Sequence, residues 1–231
     1  MVFVVGMRVM NDLDILYEDN HIIVVVKPSN VLSQADNTGD IDMVNILKKY
    51  LKEKYNKPGN VYLGLVHRLD RPVSGVMVFA KTSKAAARLS SQVQKHELKK
   101  TYLAVVNCLF EEKSGKLVNY IEKCKDNSSK IVNQGGKKAE LSYEVIEENK
   151  ENNLTLLKIN LETGRHHQIR VQFSKFSHSL YGDQRYGEQN KKQIALHSYR
   201  LEFTHPTTKE KMVFEKTPVK VFPWSLFKSV K

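Results

Sequence analysis

The residues best equipped for chemistry stand in one charged turn, His67-Arg68-Leu69-Asp70-Arg71-Pro72-Val73-Ser74-Gly75, set between two apolar runs. Asp70 has Arg71 directly after it and Arg68 two residues before it. A neighbouring cation favours the ionised form of a carboxylate, so Asp70 is expected to stay charged. A fixed, charged carboxylate beside arginines is either a structural ion pair or a nucleophile in a phosphate-rich site. The local pattern alone favours the ion pair, because such pairs perturb acidity without doing chemistry. Pro72 fixes its own φ and pushes Arg71 toward extended geometry, while Gly75 can take angles that other residues resist. The stretch therefore reads as strand, tight connection, strand, with Arg68 and Asp70 on one side of the first strand.

A second group of candidates lies in Leu161-Glu162-Thr163-Gly164-Arg165-His166-His167-Gln168-Ile169-Arg170. Placed at the start of a helix, Arg165 and the two histidines would form a natural phosphate site. Adjacent helical residues point roughly 100° apart, so His166 and His167 chelate one metal poorly, and no metal is expected. Tyr102, in Lys99-Lys100-Thr101-Tyr102-Leu103-Ala104-Val105-Val106, sits on strand-like sequence, where a core aromatic is the commoner role. Cys108 and Cys124 have neither close spacing nor a histidine pattern, which argues against a disulfide framework or a zinc site and fits a reducing cytoplasm.

The elements that must hold these residues are legible from periodicity. Asp14–His21 gives a short strand and turn, and Ile22–Lys27 is a β-branched run stopped by Pro28, hence a buried strand. Asp42 is a plausible N-cap for a helix whose apolar face is Met43, Ile46, Leu47, Tyr50 and Leu51. Ser83 reads as the next N-cap, with Ala85, Ala86, Leu89 and Val93 as the stripe of a helix reaching about Lys95. Lys113–Gly136 reads as short strands joined by loops, and 138–146 and 154–161 read as further strands. Met1–Gly6 is an edge strand or a disordered terminus, too short to span a bilayer. Many short strands with three helices, and no regular βαβ alternation, define an α+β chain.

Composition bounds the partner. In 231 residues, 37 Lys+Arg against 25 Asp+Glu give a formal charge of +12, for which a polyanion is the simplest explanation and a solubility surface the plainest alternative. From Leu161 to Lys231 there are 13 basic and 6 acidic residues, so that third alone contributes +7.

Four or five ordered motifs carry a family resemblance over about Asp14 to Glu215. The segment His67–Gly75 resembles the signature of the RluA family of RNA pseudouridine synthases, with Val73 where the family usually has threonine. Thr163-Gly164-Arg165-His166-His167-Gln168-Ile169-Arg170, Gly182-Asp183-Gln184-Arg185-Tyr186-Gly187 and Leu196-His197 through His205-Pro206 match its later motifs, and Lys100-Thr101-Tyr102 its Lys-x-Tyr. The resemblance implies a large, mostly antiparallel or mixed central sheet with flanking helices and a cleft across its middle. It implies one catalytic domain, 14–231, after an N-terminal extension, 1–13, without the S4-type RNA-binding domain that many relatives carry.

It also implies the chemistry. A uridine in rRNA or tRNA is isomerised: its N1–C1′ bond breaks, the base turns, and C5 is joined to the sugar. No cofactor and no metal are called for. Asp70 is the implied nucleophile, attacking sugar or base. Arg170 is implied to pair with Asp70 and orient it, and Tyr102 to stack on the base and help remove the C5 proton. Arg68 is implied to hold the RNA open after base flipping, with His67, Arg71, Arg165 and His167 as RNA contacts. A monomer with no obligate protein partner is expected. Two other classes remain: a basic RNA-binding module that needs no Asp70, and a nucleoside glycosidase, which would need a second acid such as Glu162 or Asp183.

Overall fold

The computed structural model describes residues 13–189 and 192–230, so the reading of Met1–Gly6 lies outside the described residues. The chain divides into two compact units, the first running to Leu98 and including Arg200–Lys216, the second Lys99–Tyr199 with the segment from Thr217.

The first unit holds β1 (Ile15–Glu18), β2 (Ile22–Lys27), α1 (Met43–Lys54), β3 (Gly64–Leu65), β4 (Ser74–Ala80) and α2 (Ser83–Gln94). It also holds β11 (Lys211–Glu215) and the end of β10 (Leu196–Thr204). Strand β2 is the β-branched run of the sequence. Ile22, Ile23, Val24 and Val25 are all fully buried, as expected of a central strand covered on both faces. It pairs antiparallel with β4, Ile22 opposite Ala80 and Lys27 opposite Gly75. Gly75 has φ +127°, a conformation that side-chain-bearing residues resist, which explains glycine there. Helix α1 is capped as the sequence predicts, the Asp42 carboxylate accepting from Asn45 N at 3.1 Å. Helix α2 is capped one residue earlier than expected: Thr82 Oγ1, not Ser83, accepts from Ala85 N. Threonine, like serine, is a preferred cap, and the chain turns out of β4 at Lys81-Thr82. Val76, Val78, Ala85, Leu89, Leu201 and Phe203 lie in this unit's core.

The second unit holds β5 (Lys99–Val106), β6 (Ser114–Lys123), β7 (Ser129–Val132), β8 (Lys137–Asn149), β9 (Leu154–Leu161), α3 (Gln168–Lys175) and the start of β10. Region 113–136, expected as short strands, is instead one ten-residue strand and a four-residue one around a tight turn, with Cys124 N donating to Ser128 O at 2.9 Å. Strand β5 pairs antiparallel with β9, placing Tyr102 opposite Ile159. Leu103, Val105, Leu154, Leu156, Trp224 and Phe227 share one apolar cluster.

The strands are hydrogen-bonded in the order β1-β2-β4-β10-β5-β9-β8-β6-β7, with β3 on β4 and β11 on β10, giving the large mixed sheet expected of this α+β chain. No helix among the described residues is long and apolar enough to cross a membrane.

Candidate active site

In the first unit, the chemistry-bearing turn is a loop, 66–73, between β3 and β4. The sequence reading placed Arg68 and Asp70 on a strand. Only Gly64–Leu65 pairs, so alternation along a strand does not set their direction. The direction comes from main-chain anchors. His67 is buried, and its Nε2 accepts from Val78 N at 3.1 Å, which fixes the start of the loop. Leu69 is held in both directions by one hydroxyl: its N–H donates to Ser33 Oγ at 3.0 Å, and Ser33 Oγ donates to its carbonyl at 2.7 Å. The Asp70 carbonyl accepts from Val73 N, and the Arg71 carbonyl accepts from Asn30 N at 2.8 Å.

The last anchor is Lys27, at the end of β2 and fully buried. Its Nζ donates to the carbonyls of Pro28 (3.0 Å), Val31 (2.7 Å) and Arg71 (3.1 Å). Burial pushes this ammonium down to about 7; the Asp70 carboxylate pulls it up again and the Arg71 guanidinium adds to the fall. The nucleophile candidate and a buried cation therefore feel one another electrostatically. With the backbone held, Arg68 stands exposed and Asp70 half-buried. Arg71 forms its ion pair with Asp40 at 2.8 Å. The sequence reading set Arg71 beside the Asp70 carboxylate; the loop after Val31 supplies its acid instead.

In the second unit, Arg170 is buried on α3 and Asp183 is buried beside it. The guanidinium grips this carboxylate in two places, Nε to Oδ2 at 2.9 Å and Nη2 to Oδ1 at 2.7 Å. Burial would raise the Asp183 carboxyl, but Arg170, through hydrogen bonds and charge, and the N–H groups of Arg185 and Tyr186 hold it below the ordinary range. The Tyr186 ring lies under the Arg170 guanidinium, 5.2 Å from its centre. The Tyr186 hydroxyl accepts from Ser129 N and meets His167 Nδ1, each at 2.7 Å.

The helix that this segment was expected to open begins at Gln168, with Arg165 and the two histidines just before it. His167 precedes it in the left-handed region, φ 54°, and its ring stacks on that of His166 at 3.8 Å. The expectation that these rings diverge by a helical step is overturned, because neither lies in the helix. Gly164 and Arg165 belong to the preceding loop, where Gln168 Oε1 accepts from Arg165 N at 3.0 Å and from Thr163 Oγ1 at 2.8 Å. Tyr102 is buried on β5. Among the described residues no group of three His, Cys, Asp or Glu side chains could hold a metal ion.

The structure thus gathers His67, Arg68, Asp70 and Arg71 on one clamped loop of the first unit. In the second, His167 and Arg170 both meet Tyr186, while Arg165 is held apart from them by Gln168 and the Lys138 carbonyl. Sequence reasoning missed Ser33, which carries no local signal. Lys27 had one: a lysine closing a wholly apolar strand must either snorkel or be buried and satisfied.

A match to the family model for RNA pseudouridylate synthases covers residues 21–175. An uncharacterized RNA pseudouridine synthase, YhcT, of Bacillus subtilis (strain 168) is 35% identical over 207 residues, covering 88% of this chain and 68% of the relative. Ribosomal large subunit pseudouridine synthase D of Zymomonas mobilis is likewise 35% identical, over 88% of this chain and 68% of its own length. The solved structure of human RNA pseudouridylate synthase domain containing 4 superposes with a TM-score of 0.80 over 97% of this chain and 96% of that one, at 20% identity, which speaks to the fold. The chain belongs to the RNA pseudouridylate synthase family, of the RluA type, and is an isomerase of that class.

Proposed function

We propose that this protein converts uridines of structured RNA to pseudouridine with Asp70 as the attacking carboxylate. The observation that carries the reading is the clamped loop of 66–73: its carbonyls and N–H groups are tied to Lys27, Asn30, Ser33 and Val73, and it presents one half-buried acid, Asp70. A carboxylate can add to the sugar or the base and leave again, so the bond exchange needs no outside electrons. Tyr102 and Arg170 take the base-side and orienting roles that the resemblance gives them. Arg68, exposed on the same loop, holds the space of the extruded base. Arg165 and His167 contact RNA, whereas His67 serves the loop as an anchor.

Ribosomal RNA is the favoured substrate over tRNA, because relatives of 35% and 37% identity are named for the ribosomal large subunit. The enzyme acts as a monomer in a reducing cytoplasm, and Cys108 and Cys124 are both free thiols. The test is release of tritium from RNA labelled at uridine C5. Wild-type protein should release it from ribosomal RNA, and Asp70→Asn should bind the same RNA and release none. Turnover by Asp70→Asn would remove Asp70 from the mechanism, and free uracil in place of pseudouridine would make the protein a glycosidase.

A further inference from the structure

We propose that the surface built by the β6–β7 turn, the loop before α3 and the Asp183–Gly187 turn is a binding surface for RNA phosphates, with Arg165 and Arg185 as its contacts. The inference rests on RNA being the substrate and adds Arg185 and the β6–β7 turn to the residues that meet it. Both guanidinium groups are docked on main chain. Arg165 Nε donates to Lys138 O at 2.8 Å, and Arg185 Nη1 donates to Asp126 O at 3.1 Å. An arginine has five N–H donors in a rigid fork. Each of these therefore spends one donor on being aimed and keeps the others.

Neither group pairs with a carboxylate within 4 Å among the described residues, although acids are close by. Glu140 is taken by Lys116 and Lys138, and Glu122 by Lys130. The Asp126 carboxylate folds back on its own turn, accepting from Ser128 N at 3.0 Å and Ser128 Oγ at 2.7 Å. Its charge therefore acts on Arg185 through space only.

The loop that carries Arg165 and the turn that carries Arg185 are also tied together. Ser129, at the start of β7, donates from Oγ to His166 O at 2.8 Å and from its N–H to the Tyr186 hydroxyl. Arg185 N donates to the buried Asp183 carboxylate at 3.0 Å. That carboxylate is the one Arg170 grips. Lys123 and Lys125 add two exposed charges at the β6–β7 turn. Pre-aimed guanidinium groups without a paired acid match the bidentate geometry of phosphate oxygens and lose little entropy on binding.

The full-length protein should be titrated with a labelled ribosomal stem-loop RNA by filter binding across a salt series. Neutralising one phosphate contact lowers the slope of log affinity against log salt by about one. Arg165→Gln and Arg185→Gln should each weaken binding several-fold with that loss of slope, and the double variant should lose about two. Lys116→Gln removes the same charge from β6 but from an ion pair, and should leave the slope unchanged. Arg185→Lys, which keeps the charge, should keep the slope. Thermal melting checks folding of each variant, and the single variants carry the test if the double is unstable.

A double variant with wild-type affinity and slope overturns the surface and leaves the reaction standing. An equal loss in Lys116→Gln also overturns it, since net charge would then suffice. Wild-type protein that neither binds RNA nor releases tritium overturns the proposed function and this surface with it.

Discussion

Replacing Ser33 by alanine should damage the reaction from a residue that bears no chemistry. Its hydroxyl is buried, accepts from Leu69 N at 3.0 Å and donates to Leu69 O at 2.7 Å, so it answers both main-chain groups of the residue before Asp70. Alanine leaves both groups in a space closed to water. Each stranded buried group costs about 1–3 kcal/mol, so the folded state should lose about 2–6 kcal/mol. The loop can relax to recover those bonds, and in doing so it moves Asp70. A displacement of about 1 Å at a reacting group can cost about 100-fold, so turnover should fall about 10- to 100-fold with RNA affinity little changed. Urea denaturation measures the first loss, and tritium release at saturating RNA the second. Ser33→Cys, which keeps the shape but donates weakly, should fall between the two. If Ser33→Ala unfolds within about 0.5 kcal/mol of wild type and turns over normally, the anchoring argument is wrong.

Arg170→Lys should lose turnover and lower the melting temperature while keeping RNA affinity, because one ammonium cannot reproduce the two-point grip on Asp183; equal activity would leave the fork without a role. Glu18 is held down to about 2: burial would raise it, but Lys54, Lys81 and Tyr55 donate to it. Its contribution is present above pH 4.5 and lost as pH falls toward 2, so Glu18→Gln should cost about 2 kcal/mol at neutral pH, once the half-exposed Lys54 is discounted, and less in acid. A loss of stability that does not shrink on acidification would contradict this. Lys27, lowered from 10.5 to about 7 by burial, binds fewer protons folded than unfolded between those values, so its contribution to stability rises with pH there. The stability of wild type relative to Lys27→Met should therefore climb by about 2–3 kcal/mol from pH 7 to 9.5, and a constant gap would mean that Lys27 stays charged throughout.

The sheet was legible because its strands obey burial locally. Ile22–Val25 could only be a strand covered on both faces, and the stripe Met43, Ile46, Leu47 and Leu51 could only be one face of a helix; the structure buries all of them. Loops were the weaker part, for a physical reason. The direction of Asp70 is fixed by Ser33 and Lys27, which lie 36 and 44 residues before the loop positions they hold. No local period reports such a contact. The same holds for Arg170. Its partner Asp183 was visible as part of a turn motif, but the two-point contact arises only when α3 and that turn meet. His166 and His167 were misjudged because the left-handed residue that delays α3 is histidine, which carries no signal comparable to glycine.

Lys27 joins the fold to the chemistry through a conflict that the loop must settle. Taking an ammonium out of water favours the neutral amine, which has only two N–H groups. Three carbonyls, those of Pro28, Val31 and Arg71, surround Nζ, and only the charged form can donate to all three. The Asp70 carboxylate works in the same direction as the carbonyls, raising the affinity of Lys27 for its proton. The loop of 66–73 is thus held with the Arg71 carbonyl turned in toward the cation, and the acid one residue earlier faces that cation's field. Keeping an anion on the loop above a buried cation makes the charged state of Lys27 less costly. A loop that kept Asp70 but lost Lys27 would hold its Arg71 carbonyl by the Asn30 N–H alone, and the carboxylate would lose part of the fixed position on which attack at a single atom depends.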